Sequence, residues 1–277
     1  MAYRNLLVHV DDSRSSKARL EVAIDLAKAH GAHLTGLYVA IDPPLSSNMR
    51  AAVPAEFLVM VQEQARARAA EAKARFEATV KRAGLSADCR AEHCPYTRVP
   101  EVIALHARYS DLAILGQPNP DEGEVNVAAT EDVVLSSGRP GLIIPFIGPG
   151  RTLGRRVMVA WDGGREAARA VADAMPVLER ADSVVVLVIN AENGDHGDQP
   201  GADIALYLAR HDIKVDAQQL GAKDLSVADA LLSRLADEDI DLLVMGAYGH
   251  SRLREWVLGG TTRQIFHEMT VPVLMSH

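Results

Sequence analysis

The chain repeats itself, and the repeat limits its fold more than any other feature. Asn5-Leu6-Leu7-Val8-His9-Val10-Asp11 lies over Arg156-Val157-Met158-Val159-Ala160-Trp161-Asp162, and Arg14 then falls on Arg165. Asp111-Leu112-Ala113-Ile114-Leu115-Gly116 lies over Asp241-Leu242-Leu243-Val244-Met245-Gly246. Arg139-Pro140-Gly141-Leu142-Ile143 lies over Val271-Pro272-Val273-Leu274-Met275. Three blocks in one order mean a duplication. The spacing between blocks changes, which places the insertions in loops.

Each copy alternates short apolar runs with helical stretches. In the second copy the runs fall near 156–161, 184–190, 214–220, 241–246 and 271–275. The helix after the first run keeps apolar residues on one face: Leu20, Ala23, Ile24 and Ala27 in one copy, Val171, Ala174, Met175 and Leu178 in the other. Strands separated by helices imply crossovers and a parallel sheet. The expected architecture is α/β, with two open, mostly parallel five-stranded sheets of doubly wound, Rossmann-like type and strand order 3-2-1-4-5. One domain spans 1–149 and the other 150–277, joined at Gly148-Pro149-Gly150-Arg151-Thr152-Leu153-Gly154. Pairing the final strands, Pro140–Pro145 with Val271–Ser276, covers two sheet edges and gives an internal pseudo-dimer. The first copy also carries a long amphipathic helix over about 55–83, closed by Gly84.

Composition narrows the function classes. The formal net charge is −8 and there is no basic stripe, which disfavours nucleic acid. Two cysteines, Cys89 and Cys94, fit a reducing compartment rather than a disulfide scaffold. Tyr3-Arg4-Asn5 breaks any leader-like apolar run, and no stretch is long enough to span a membrane. A cytoplasmic location is expected. Cys89, His93 and Cys94 match no standard zinc spacing, so no metal site is expected. His30, His33 and His211 lie near helix ends, where surface or capping roles suffice.

The chemistry concentrates in 241–262. A buried strand runs out into Gly246, Gly249 follows, and Gly259-Gly260-Thr261-Thr262 opens a helix. Glycines let backbone N–H groups approach an oxyanion, and a helix start adds free N–H groups and a positive dipole end. These glycines, with a hydroxyl from Thr261 or Thr262, read as a phosphate cradle; turn and cap roles are the plainer alternative. Asp162 ends the first strand of this copy. Ligands of such sheets bind beyond the strand ends where strand order reverses, between strands one and four. There Asp162 faces Gly246, either to accept from ribose hydroxyls or an adenine amino group, or to cap the first helix. No P-loop, dinucleotide fingerprint or nucleophile elbow is present.

These residues resemble the universal stress protein family. The likeness rests on Gly246-x2-Gly249-x9-Gly259, on Asp162, and on Val271-Pro272-Val273-Leu274, and the two-copy layout resembles the family's tandem members. It implies an adenine nucleotide, ATP or AMP with or without Mg, held in the second copy by Ala160, Asp162, Val188, Gly246, Gly249, Gly259, Gly260, Thr261 and Thr262. It implies a stress-response role through nucleotide-dependent sensing or signalling. Gly260 departs from the hydroxyl residue usual there, whereas Thr262 matches the next hydroxyl position. In the first copy Gly116 survives, but Asn119, Val127 and Ala128 replace the other glycines, and Thr130 keeps the place of Thr262. Asp121, Glu122 and Glu124 add negative charge there, so no nucleotide is expected in that copy. Two other readings stay open: a scaffold that works through protein partners, and a slow ATPase; pairing of whole chains into a homodimer stays open under any of them. No catalytic residue is assigned; His250 is the one nearby candidate for a base, and Arg252 and Arg254 are candidate phosphate partners.

Overall fold

The computed structural model describes residues 2–42, 54–119, 127–150, 152–191, 199–222, 224–249 and 260–277. Within these, the N-terminal half runs β1 (Asn5–Val10), α1 (Ser16–His30), β2 (His33–Asp42), α2 (Ala55–Ala83), β3 (Ala87–Pro95), a 3-10 turn (Tyr96–Arg98), α3 (Val99–Ala107), β4 (Leu112–Gly116), α4 (Val127–Ser137) and β5 (Gly141–Ile144). The C-terminal half runs β6 (Arg156–Ala160), α5 (Arg165–Leu178), β7 (Ser183–Ile189), α6 (Ala202–Ala209), β8 (Val215–Leu220), α7 (Val227–Asp237), β9 (Leu242–Gly246), α8 (Thr261–Glu268) and β10 (Val273–Ser276).

All ten strands form one sheet in the order β3-β2-β1-β4-β5-β10-β9-β6-β7-β8. Each half is therefore the expected 3-2-1-4-5 arrangement, read inward from its own outer edge to the seam in the middle. Every pairing is parallel except the seam, where β10 and β5 run antiparallel with Val273 opposite Ile143, Leu274 opposite Leu142 and Met275 opposite Gly141. The expected pairing of the final strands thus merges two sheets into one and removes two open edges.

Alternation along the strands sends neighbours to opposite faces, so the sheet carries a core on each side. One contains Leu6, Val8, Val157 and Val159 with side chains of α1, α2, α5 and α6. The other contains Leu7, Ile143, Met158 and Val273 with side chains of α3, α4, α7 and α8. Each core runs through both halves, which is the doubly wound layering. Cys89 lies in the first core and Cys94 in the second, on opposite faces of the sheet. Helix α2 ends at Gly84, whose φ of 70° is the left-handed conformation that closes a helix. No helix among the described residues is long and apolar enough to cross a membrane.

Candidate functional site

The central strands of the C-terminal half, β6 and β9, are parallel neighbours, with Ala160 beside Met245. The chain leaves β6 toward β7 and returns to β9 on the other side, so strand order reverses between them. Asp162 and the Gly246–Gly249 loop lie at that reversal. Asp162 Oδ1 accepts the Gly164 N–H at 2.8 Å, closing a turn over Gly163. The N-cap of α5 is Gly164, without a side-chain cap, so Asp162 does not cap the helix. Asp11 likewise leaves α1 uncapped; its carboxylate accepts from Ser13 instead.

Close packing explains Gly246. A Cβ built there would lie 2.6 Å from the Ala167 nitrogen and 2.7 Å from the Glu166 carbonyl carbon, so only glycine lets α5 approach β9 this closely. Gly249 faces side chains. A Cβ there would lie 3.2 Å from Glu166 Oε2 and 3.7 Å from Asp162 Oδ2. Two carboxylates thus border the loop. Glu166 is 5 % exposed. Burial opposes its ionisation, but the Arg165 guanidinium, 2.5 Å from Glu166 Oε1, outweighs it and holds the carboxyl below its ordinary range. Sequence reasoning missed Glu166. The signal was present, because Glu166, Ala170 and Ala174 fall four residues apart on the buried face of α5.

The start of α8, which packs on the opposite face of the sheet from α5, meets the same loop at Tyr248. Gly260 is the N-cap of α8, and among the described residues no side chain caps it, which leaves its first N–H groups without partners inside the helix. Thr261 is the first helical residue. Thr262 is buried, and its Oγ1 accepts the Tyr248 N–H at 3.2 Å, tying the loop to the helix start. Ala160 is half-buried at the end of β6. Val188 is fully buried on β7 and faces Gly201, where a Cβ would lie 3.2 Å from its Cγ2. Gly259, His250, Arg252 and Arg254 lie outside the described residues.

The matching crevice of the N-terminal half is filled from within. Arg19 is 2 % exposed; its Nε donates to the His9 carbonyl at 2.7 Å and its Nη2 to Asp11 Oδ2 at 2.7 Å. The guanidinium presses on Gly116, where any Cβ would collide with it. What remains is a cavity of about 20 Å³, lined by His9, Asp11, Arg19, Gly116 and Thr130 among others, enough for a single water. The sequence reading placed the obstacle in Asp121, Glu122 and Glu124, which lie outside the described residues. The described obstacle is Arg19, which stands on the buried stripe of α1 with Val22, Ala23, Leu26 and Ala27.

The loop after β4 has another use. Gln117 is 5 % exposed; its Nε2 donates to the Phe266 and His267 carbonyls at 3.0 Å each, and its Oε1 accepts the Phe146 N–H. The loop after β9 reaches back in the same manner, from Tyr248 to Glu131 on α4. Each loop therefore grips the last helix of the other half. One histidine also departs from expectation. His30 is not a surface residue but 6 % exposed, with its ring centroid 4.9 Å from that of Tyr3. Among the described residues no group of three or more His, Cys, Asp or Glu is placed to hold a metal.

Comparison with known proteins agrees with this architecture. The sequence pattern of the universal stress protein family matches residues 2–111 and again 154–277. A universal stress protein of Mycobacterium tuberculosis is 29 % identical over 142 residues, covering 44 % of this chain and 96 % of that protein. A Synechocystis universal stress protein is 48 % identical over 46 residues, 17 % of this chain and only 16 % of that protein. The crystal structure of a universal stress protein from Archaeoglobus fulgidus superposes with a TM-score of 0.75 at 19 % identity, covering 98 % of this chain and 95 % of that one, and so shares the fold. With two copies of the family's domain in one continuous sheet, the chain belongs to the universal stress protein family as a tandem two-domain member.

Proposed function

We propose that the C-terminal half, from about residue 150 onward, binds an adenine nucleotide, ATP or AMP, and that the chain acts in stress response by sensing or signalling nucleotide occupancy. One observation carries the reading: the strand-order reversal between β6 and β9 has acceptors on one side and donors on the other. Asp162 and Glu166 present carboxylates, which suit the hydroxyls of a ribose and the amino group of an adenine. The start of α8 at Gly260 and Thr261, without a side-chain cap among the described residues, presents N–H groups and a dipole end, which suit phosphate. Gly249 keeps the path between them open, and Thr262 holds the loop in register with the helix. Gly246 sets the approach of α5, and Ala160 bounds the base; Val188, fully buried against Gly201, does not reach it. The Glu166 carboxylate favours a nucleotide that brings Mg²⁺, because a bare triphosphate against it is repelled. Gly259 belongs to the cradle by the family's pattern. The N-terminal half, filled by Arg19, binds none.

A second reading draws on Glu166 itself. If its carboxylate excludes phosphate, the chain is a scaffold working through protein partners. Thermal unfolding with millimolar Mg-ATP, AMP or GTP separates the two. A ligand at ~100 times its Kd stabilises its domain by about 2.7 kcal/mol, a shift of several degrees. A shift with adenine nucleotides that Gly259→Val abolishes supports the nucleotide site. No shift with any of them favours the scaffold.

A further inference from the structure

Helix α2 and the outer strands β2 and β3 pack closely at one end only. Toward the end of the helix Phe76 lies on Gly36, where a Cβ would come within 2.7 Å of the ring, and Val80 is buried beside it. Toward its start the inner positions become Ala65, Ala69 and Ala72, set over Tyr38 and Ala40. The alanines on the inner face of this end of the helix leave space between it and Ala40 and Ala91 of the sheet. A groove of about 440 Å³ opens there, with Ala40 and Ala91 on the sheet side and Ala65, Ala69 and Ala70 on the helix side. Protein interiors are otherwise close-packed, and this volume falls in the ~300–1,000 Å³ range of small-molecule sites.

The rim is cationic. Arg66 and Lys73 line the groove two helical turns apart. Among the described residues no carboxylate lies within ion-pair distance of Arg66, and Lys73 has only Glu77, at 3.8 Å, on an exposed surface. Glu92 also borders the groove, but its carboxylate turns to His106 on α3, 3.4 Å away. The charge facing the groove is therefore positive on a chain whose formal net charge is −8. Gln62 and His93 also border the groove, but five alanines make up half of its lining, so the complementary ligand has an aliphatic body and one anionic head.

We propose that this groove binds a medium-chain aliphatic carboxylate, its chain along Ala40, Ala65, Ala69 and Ala91 and its carboxylate on Arg66 and Lys73. The site is separate from the β6–β9 crevice and does not rest on the nucleotide reading. The test is calorimetric titration of the full chain with decanoate below its micelle concentration, beside decyltrimethylammonium, which has the same chain and the opposite charge. Saturable binding of one decanoate per chain is expected, with no comparable uptake of the cation. Ala69→Phe, which fills the groove from a half-buried position, and the double variant Arg66→Ala/Lys73→Ala should each weaken binding by about tenfold or more while leaving circular dichroism unchanged. If Ala69→Phe fails to fold, Ala65→Leu tests the same filling. Absence of saturable decanoate binding, equal uptake of the cation, or undiminished binding by either the filled or the cation-free variant would overturn the proposal.

Discussion

The Tyr248 hydroxyl donates to Glu131 Oε2 at 2.7 Å, so the glycine loop of the C-terminal half is anchored on α4 of the N-terminal half. Tyr248 holds a left-handed φ of 57° to do so, a conformation uncommon for a bulky side chain. The loop that borders the C-terminal crevice is thus tied to the other half. Tyr248→Phe should cost about 1 kcal/mol in urea unfolding. A double-mutant cycle with Glu131→Gln should show that the two losses are not additive. Full additivity would mean that the contact carries no coupling.

Arg19 and Asp11 form a nearly buried ion pair that fills the N-terminal crevice. Burial opposes ionisation of Asp11, but Arg19 outweighs it and holds the carboxyl well below its usual range. Removing one partner leaves a charge stranded. Arg19→Met should therefore cost about 3 kcal/mol, and Arg19→Met/Asp11→Asn should recover most of the loss. A change under about 1 kcal/mol in Arg19→Met would show that the pair does not stabilise the half.

Gly246 and Gly249 should respond differently to alanine. At Gly246 the added Cβ meets backbone of α5, which cannot step aside, so Gly246→Ala should cost about 1–3 kcal/mol by overpacking. At Gly249 it meets the end of the Glu166 side chain at 3.2 Å, which can swing away. Gly249→Ala should leave the unfolding midpoint nearly unchanged while weakening Mg-ATP binding. Thermal unfolding with and without nucleotide reads both effects.

Two histidines make the N-terminal half sensitive to acid. Burial lowers His9 to about 4, against the nearby Asp11 charge, and burial followed by Arg180 lowers His30 to about 4. His30 Nδ1 has no hydrogen-bond partner among the described residues, as suits a neutral ring. The unfolded chain protonates these rings below about pH 6.5, the folded chain only near 4. Stability should therefore fall as pH drops through that window, by roughly 3 kcal/mol per histidine. His9→Gln/His30→Gln should flatten the slope of unfolding free energy against pH between 6.5 and 4. A slope that the double variant leaves intact would assign the acid sensitivity to other groups.

Much of the fold was legible because it is written in local patterns. The duplication set two matching βα runs, helical periodicity fixed α1 and α5, and Gly84 marked the end of α2. The β5–β10 seam followed from two short apolar strands that each needed an edge covered. The approach of Asp162 to the glycine loop followed from strand order alone.

The filled crevice, the acidic border of the glycine loop and the locks between the halves were decided by tertiary structure. Arg19 sits on the buried stripe of its helix, yet nothing in its neighbours says that its guanidinium will reach Gly116 and Asp11. Glu166 follows Arg165 as an ordinary first-turn acid, and only the packing of α5 on Gly246 turns it toward Gly249. Gln117 finds Phe266, and Tyr248 finds Glu131, more than a hundred residues away in the chain. Sequence periodicity says which face of an element is buried, because that depends on residues a few positions apart. It does not say which polar atom a long side chain will meet there, because that depends on how distant elements are brought together.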